Sequence, residues 1–591
     1  MLGRTPISVK VARQLKELGL EAFISDAPPL PAAPSGKRKL SEWLQSWLRT
    51  QSSSESVWIH PSDSLWAERP ELIAVCEELS LRLIGPSAKT VSVLADRLTW
   101  LNQAAASGVS TLVLTVEPMS AVSEIERHVR ENTLRFPFVL RSVRAGGRFG
   151  CKLVRRVEDL AQDVPLWIEQ HRLNLGEVLL FAERWVEGAR RISVPFCRFA
   201  DGRIHVFPET DVSLQSGFER AVSYCPVEAF DSDTLDIARH WSRTLSETLG
   251  YVGLGSFDFV LDGSRVFLVD CFSRLMGDFP AWESVAETQA VAWQLATLDV
   301  SWSQTPRFSE CKTAAVSLSI QAEHPVLHLP QPGQVVQVGE RHTWSSGGSS
   351  VELILAVEPG SQAKGIIGIL LGRAPDIRRA TTMLRGVLEE TWIAGTLQTN
   401  ERFLHEVLNH PWVREGVFHN DFLEEEFIPE LRPSVSLVRL FAAIASEAAQ
   451  ASGDWIVGDQ RCSGTDLPRV LWVSPGLISL PDGRRVRALA VRLMNERWVV
   501  RIGLWSLQVR MKPDPSHKNS LMKALVPGEI YSILFREGVE IPSHAHALVI
   551  ESAGVLVAHA LPRNACVERW KVKAGDTVAA GDELAEIAPI G

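Results

Sequence analysis

The stretch "GSFDFVLDGSRVFLVDCF" sets two β-rich runs on either side of Asp262-Gly263-Ser264, the sequence form of a β-hairpin. Counting outward from that turn puts Asp258 nearly opposite Asp270, so two carboxylates meet across adjacent strands. Carboxylates so placed serve as oxygen ligands for a cation, pair with arginine, or face solvent. Arg97, Arg141, Arg144 and Arg148 supply positive charge, and read either as an anion pocket or as surface ion pairs of small energetic value.

A second hairpin has the opposite character. In "HALVIESAGVLVAH" (His546–His559) two short apolar strands meet at Ser552-Ala553-Gly554, a tip with no reactive side chain. The cysteines at 76, 151, 197, 225, 271, 311, 462 and 566 form no C-x-x-C pair, which excludes a zinc knuckle or disulfide scaffold and makes each a small hydrophobe. His60, His546 and His559 have no metal-ligand spacing and read as structural.

These residues need several domains to hold them. A chain of 591 residues exceeds one core, and about 150 residues per domain gives about four. With 45% hydrophobic and 22% charged residues the composition is globular. A net charge of -9 argues against a nucleic-acid partner. No apolar run is long enough for a membrane span and the start lacks a signal peptide's apolar centre, so the expected location is cytoplasmic with no membrane association.

Along the chain, "SVKVARQLKELGLEAFIS" predicts an amphipathic helix on Val9, Val11, Leu15 and Leu18, capped by Gly19 and followed by a strand. A strand, loop, helix, strand series to about residue 95 predicts a small α/β layer. A helix is expected around Leu94–Ala106, a hairpin at Asp201-Gly202, and helices in "RRATTMLRGVLEETWIAG" and "NERFLHEVLNHPWVREG". After a break at "IPELRPS", a helix over 436–452 precedes an antiparallel β series; "DPSHKNS" is a linker to an all-β unit over 520–591. That unit repeats a charged-Gly turn, at Arg536-Glu537-Gly538 and Lys573-Ala574-Gly575-Asp576, so two half-modules can close into a flattened barrel.

The terminal segment, from "ALVPGEIYSILFREGVEI" to "KVKAGDTVAAGDELAEI", resembles a biotinyl/lipoyl carrier domain. "IHPSDSLWAE" and "LIGPSAKTVSVLADRL" resemble the N-terminal domain of biotin carboxylase, "FPFVLRSVRAGGRFG" its ATP-grasp glycine loop, and "GYVGLGSFDFVLDGSRVFLVDCFSRLMGDFP" its metal and bicarbonate strand pair. "LSIQAEHP", "LPQPGQV" and "LQTNERFLHEVLNHP" resemble its C-terminal domain. The resemblance implies a multidomain α/β and α+β chain of the acyl-CoA carboxylase α-subunit type. Its parts are a biotin carboxylase N-terminal-like domain (1–95), an ATP-grasp-like domain (96–308), a C-terminal-like domain (309–432), a β-rich carboxyltransferase-docking domain (433–518) and a carrier-like flattened barrel (520–591).

The same resemblance implies lost chemistry. Arg97 and Arg141 stand where the family has phosphate-binding lysines, and "RAGGRFG" puts Arg144, Ala145, Arg148 and Phe149 where it has mostly glycine. Glu183, Trp185 and Val186 align with the adenine-contacting hinge, leaving a vestigial nucleotide site. Asp258 and Asp270 align with two metal-ligating glutamates, each a methylene shorter, and Phe272 replaces a neighbouring asparagine. In the run after it Arg274 is kept, Asp278 stands for a glutamate, and Met276 loses a polar contact. Ser319 replaces the arginine opposite the biotin enolate, Phe218-Glu219-Arg220 replaces His-Gln-Lys, and Gly554 replaces the biotinylated lysine. The expectation is a chain without carboxylase activity or covalent biotin and with weakened Mg-ATP binding. Its expected partners are a carboxyltransferase β subunit and a biotinylated α subunit. Two alternatives stay open: an ATP-grasp ligase with a rebuilt site and another substrate, or a subunit of a biotin-independent acyl-CoA carboxyltransferase or decarboxylase complex.

Overall fold

The computed structural model describes residues 1, 3–25, 41–46, 57–62, 67–144, 150–175, 178–298, 312–324, 330–427, 434–457, 460–474, 476–492, 497–511, 520–541, 546–552, 555–560 and 565–589. Its first helix, Pro6–Glu17, begins at a capping box: Ser8 N donates to Thr5 Oγ1 at 3.1 Å and Thr5 N to Ser8 Oγ at 2.9 Å. Gly19, at φ +80°, takes the left-handed position just past the helix end. Among the described residues the strand expected after it is reduced to one bridging residue, Ser25. Gly3 N donates to Ser25 O and Ser25 N to Met1 O, so the chain's own start satisfies that segment. Two short parallel strands, Trp58–Ile59 and Arg82–Leu83, flank the helix Pro70–Glu78.

The expected helix around Leu94–Ala106 is two helices, Ala88–Leu94 and Arg97–Ala106. Asp96 restarts the second by accepting from Thr99 N at 3.0 Å, which places Arg97 at its first turn. A ten-stranded sheet is the spine of the chain. Its order is Arg265–Phe272, Gly253–Asp262, Arg190–Arg198, Thr210–Asp211, Val222–Cys225, Ala314–Ala322, Gly365–Ala374, Ser349–Leu355 and Thr343–Ser346, with Ile204–Val206 paired to Arg190–Arg198. One end packs Phe196, Phe257 and Phe259 against Trp100 and Leu101; the other packs Val316, Leu318 and Leu370 against Leu384 and Leu388 of the helix Ile377–Glu390. That helix stops short of the predicted text. Ile393–Gly395 is a strand paired with Gly333–Val338, and a Cβ on Gly395 would lie 2.0 Å from Gln334 O.

A separate lobe, with strands in the order Cys151–Val154, Phe138–Ser142 and Leu180–Arg184, has its own core of Phe138, Leu140, Val154, Leu160 and Leu180. The helix Val435–Ala449, capped by Ser434, packs through Phe441 and Ile444 on a seven-stranded antiparallel sheet spanning residues 455–511. No helix among the described residues is long and apolar enough to cross a membrane. The linker text at 514–520 and the break at 428–433 fall almost wholly outside the described residues.

Two four-stranded sheets form the last unit, Ser520–Lys523 with Glu583–Pro589, Ala565–Trp570 and Glu540–Ile541, and Val555–Ala560 with His546–Ser552, Gly528–Ile533 and Thr577–Val578. Each repeated charged-Gly turn carries the chain from one sheet to the other. His559 is buried between them, and its Nε2 accepts from Leu525 N at 2.8 Å, so the ring must be neutral there. Burial pushes its pKa down to about 4, against a slight lift from Val557 O. Below the ordinary histidine value of about 6.5 the unfolded chain takes up a proton that the folded one refuses. This unit should therefore lose stability at about 1.4 kcal/mol per pH unit as pH falls from there to the folded value, and no further. Amide exchange at Leu525 across that pH range measures it; a His559→Gln chain should lack the slope.

Candidate functional site

The hairpin at the edge of the ten-stranded sheet places Asp258 and Asp270 as Cα partners, with a register shift just after Asp258. A bulge re-aims a side chain, and here both carboxylates are buried, at 0% and 2% exposure. Asp270 Oδ2 accepts from Arg97 Nε at 3.1 Å and from the Arg141 guanidinium at 2.7 Å, while Oδ1 accepts from Cys271 N at 2.9 Å. Asp258 is held likewise: Arg220 donates to Oδ1 at 2.7 Å and Oδ2 at 2.9 Å, and Arg191 Nε donates to Oδ2 at 2.9 Å.

The network extends outward. Arg141 also bonds both oxygens of Glu183 at 3.3 Å and Val269 O at 3.0 Å. Arg220 bonds Asp278, and Glu68 joins Arg97 at 3.3 Å to Arg274 at 2.9 Å. The guanidiniums of Arg97, Arg141, Arg191, Arg220 and Arg274 thus balance the carboxylates of Glu68, Glu183, Asp258, Asp270 and Asp278. Burial raises the pKa of Asp270, but Arg97 and Arg141 outweigh it and hold the carboxyl below its ordinary range. Burial likewise works against the charge on Arg97, Arg141 and Arg220, and their carboxylate partners more than offset it. For Glu183 and Asp278 desolvation wins and the pKa rises.

This donor set does not fit magnesium. A hard cation needs carboxylate oxygens with open lone-pair directions, and those of Asp258 and Asp270 are engaged by guanidinium groups and, at Asp270 Oδ1, by the Cys271 N–H. Phe272 supplies no ligand; its ring lies 5.5 Å from the Arg220 guanidinium carbon and 5.7 Å from that of Arg274. Among the described residues no group of three or more His, Cys, Asp and Glu is placed to hold a metal ion. Arg97 and Arg141 are buried, so the surface ion-pair reading does not describe them.

The hinge residues Glu183, Trp185 and Val186 border a cavity of about 50 Å³, shared with Arg141, Arg191 and Phe218. That is far below the several hundred Å³ of a small-molecule pocket. Phe218, at φ +65°, packs edge-on to Trp185 at 6.3 Å, and Trp185 Nε1 donates to Asp421 at 2.6 Å. Ser319 is buried on the strand Ala314–Ala322 facing Gly277, while Met276 is half-buried in the loop beside it. Arg148, Ala145 and Phe149 lie outside the described residues, as does Gly554; Ser552 and Val555 on either side of the latter are strand partners. Arg144 is exposed at the edge of the lobe. Sequence reasoning missed Arg191, Glu68 and Asp421. Only Arg191 left a trace, as a charge entering the apolar run "RRISVPF".

Residues 96–296 match the family model of the ATP-binding domain of the carbamoyl-phosphate synthase L chain. The chain is 22% identical to the α subunit of mouse mitochondrial methylcrotonoyl-CoA carboxylase, over 98% of this chain and 86% of that protein. It is 22% identical to the biotin carboxylase of Haemophilus influenzae, over 72% of this chain and 97% of that one, whereas it spans 32% of mouse pyruvate carboxylase. Among solved structures, the biotin carboxylase domain of the Hydrogenobacter thermophilus 2-oxoglutarate carboxylase superposes with a TM-score of 0.61 at 20% identity, covering 72% of this chain and 96% of that one. A single-chain, multi-domain long-chain acyl-CoA carboxylase covers 100% of this chain and 51% of its own at a TM-score of 0.55 and 17% identity. The fold is therefore the ATP-grasp fold of biotin carboxylases.

Proposed function

We propose that this chain is a biotin-carboxylase-like ATP-grasp subunit of the biotin carboxylase and acyl-CoA carboxylase α-subunit family, that it no longer carboxylates biotin, and that it serves an acyl-CoA carboxylase-type complex as an architectural or regulatory subunit. The observation that carries this reading is the closure of the Asp258 and Asp270 hairpin by arginine. Phosphate and metal chemistry needs charge left over for the ligand. Here each guanidinium is matched by a carboxylate, so neither sign is in excess.

Two further features support it. Ser319 places a neutral hydroxyl where an enolate would need a fixed cation. In the terminal unit, which we read as a biotinyl/lipoyl-like barrel, the only lysines are Lys523, Lys571 and Lys573, and the hairpin tip at 553–554 has no amine to acylate. A carrier-shaped unit that carries nothing is left with docking as its use. The partners this implies are a carboxyltransferase β subunit on the β-rich 433–518 region and a biotinylated α subunit beside the carboxylase-like body.

Calorimetric titration with Mg-ATP, paired with an assay of bicarbonate-dependent ADP release on free biotin, tests the loss of chemistry. The expected result is neither micromolar binding nor turnover. Micromolar binding with substrate-dependent ADP release would instead identify an ATP-grasp ligase acting on another substrate. Recovery of the chain as a monomer that binds no carboxyltransferase of its own cell would overturn the architectural role.

A further inference from the structure

The cavity beside Glu183 lies between three parts of the chain: the lobe that contributes Val139, Arg141 and Cys151, the main sheet, and the segment bearing Asn420 and Glu424. That last segment, 416–425, follows residues 185–190, which join the lobe's strand Leu180–Arg184 to the sheet strand Arg190–Arg198. Arg190 donates to Gly416 O at 3.1 Å and Phe418 O at 2.6 Å, its guanidinium 3.9 Å over the Phe418 ring. Asn420 N donates to Ala189 O at 2.8 Å and its side-chain amide to Val186 O at 3.3 Å.

Asp421 is the centre of this contact. It stands at the N-cap of the short helix Phe422–Glu425 yet makes no capping bond. Its Oδ1 accepts from Trp185 Nε1 at 2.6 Å and its Oδ2 from Gly188 N at 2.8 Å, and the residue is 1% exposed. On the lobe itself Arg155, which precedes the helix Val157–Leu175, bonds Glu425 and reaches Glu424 at 3.5 Å and Asp421 at 3.8 Å. One segment therefore grips both the hinge and the body of the lobe.

We infer that segment 416–425 is a built-in strap that holds the lobe closed over the cavity without nucleotide, Asp421 fixing the hinge and Arg155 the lobe. An ATP-dependent enzyme opens such a lobe at each turnover to exchange nucleotide. Here closure is set by the chain's own carboxylates, so the face the lobe presents does not depend on ligand. This goes beyond the loss of catalysis, because it rests on the contacts of 416–425 with the hinge and the lobe and not on any missing catalytic residue.

Amide hydrogen exchange on the full chain without nucleotide tests it. Asp421→Ala removes the acceptor of two buried donors, and exchange in Phe138–Ser142 and Cys151–Val154 should rise about tenfold or more. Asp421→Asn, which keeps one acceptor oxygen, should restore part of the protection, and Arg155→Ala should loosen the lobe by about two- to threefold, the worth of a half-exposed ion pair. Exchange in Ser349–Leu355 should stay unchanged, showing that the fold persists. Unchanged lobe exchange in both alanine variants would overturn the strap, as would wild-type lobe exchange that slows about tenfold on adding Mg-ATP. ATP binding that leaves lobe exchange unaltered would count against the proposed function and uphold the strap.

Discussion

Replacing Asp270 with alanine should lower the unfolding free energy of the ATP-grasp-like region by about 3–5 kcal/mol, the usual cost of leaving buried charge unpaired. Arg97 and Arg141 each give their shortest carboxylate contact to this residue, and both are at least 95% buried. With Asp270 gone, Arg97 keeps only Glu68 and Arg141 only Glu183 as carboxylate partners, each at 3.3 Å, and the buried network is left with one more guanidinium than carboxylates. Asp270→Asn keeps an acceptor but not the charge and should fall between the alanine variant and the parent. A carboxylate pair built for a metal behaves in the opposite way: without the ion its charges repel, and deleting one costs little or stabilises. Denaturant unfolding with added magnesium and with chelator decides between the two. A loss below about 1 kcal/mol, or a chain stabilised by magnesium, would show that arginine is not what holds this hairpin.

The hairpin was legible in sequence because alternation and a Gly-Ser turn fix register locally, and Asp258 falls opposite Asp270 by counting alone. The antiparallel series after Val435–Ala449 was legible for the same reason. What surrounds the carboxylates was not. Arg97 is 173 residues from Asp270, Arg274 is 206 from Glu68, and Trp185 is 236 from Asp421. Contacts that long leave no local pattern, so sequence supplied the candidate charges without their partners. The strand expected after Gly19 failed differently: an apolar run predicts an extended chain, but whether it finds a sheet depends on what lies beside it, and among the described residues the backbone of Ser25 meets Met1 and Gly3. Asp421 left no signal in the sequence, because both of its donors, Trp185 Nε1 and Gly188 N, lie more than 230 residues away.

Glu401→Ala should be the second costly substitution, again about 3–5 kcal/mol, because it strands Arg501 at the junction of the β-rich unit with the body that carries Ile393–Gly395 and Glu401–Asn409. The two side chains are 0% and 2% exposed and meet at 2.8 Å, with Thr399 Oγ1 donating to the same Glu401 oxygen at 2.6 Å. Arg501 also donates to Ile393 O, and its guanidinium lies 5.0 Å over the Trp392 ring. Arg402 stacks on Trp505 beside it, so cations from both sides of the junction are seated on aromatic rings from the other. The pair therefore fixes the orientation of the unit proposed to meet a carboxyltransferase, and losing one member should free that unit before it unfolds. In a double variant, Glu401→Ala with Arg501→Met, no charge is left buried, and a well-packed apolar replacement commonly restores most of the loss. Unfolding monitored separately in 393–408 and 497–511 should show the two regions melting together in the parent, apart in the single variant and nearer together in the double. Coincident melting in all three would mean that apolar packing, not this ion pair, couples the unit to the body.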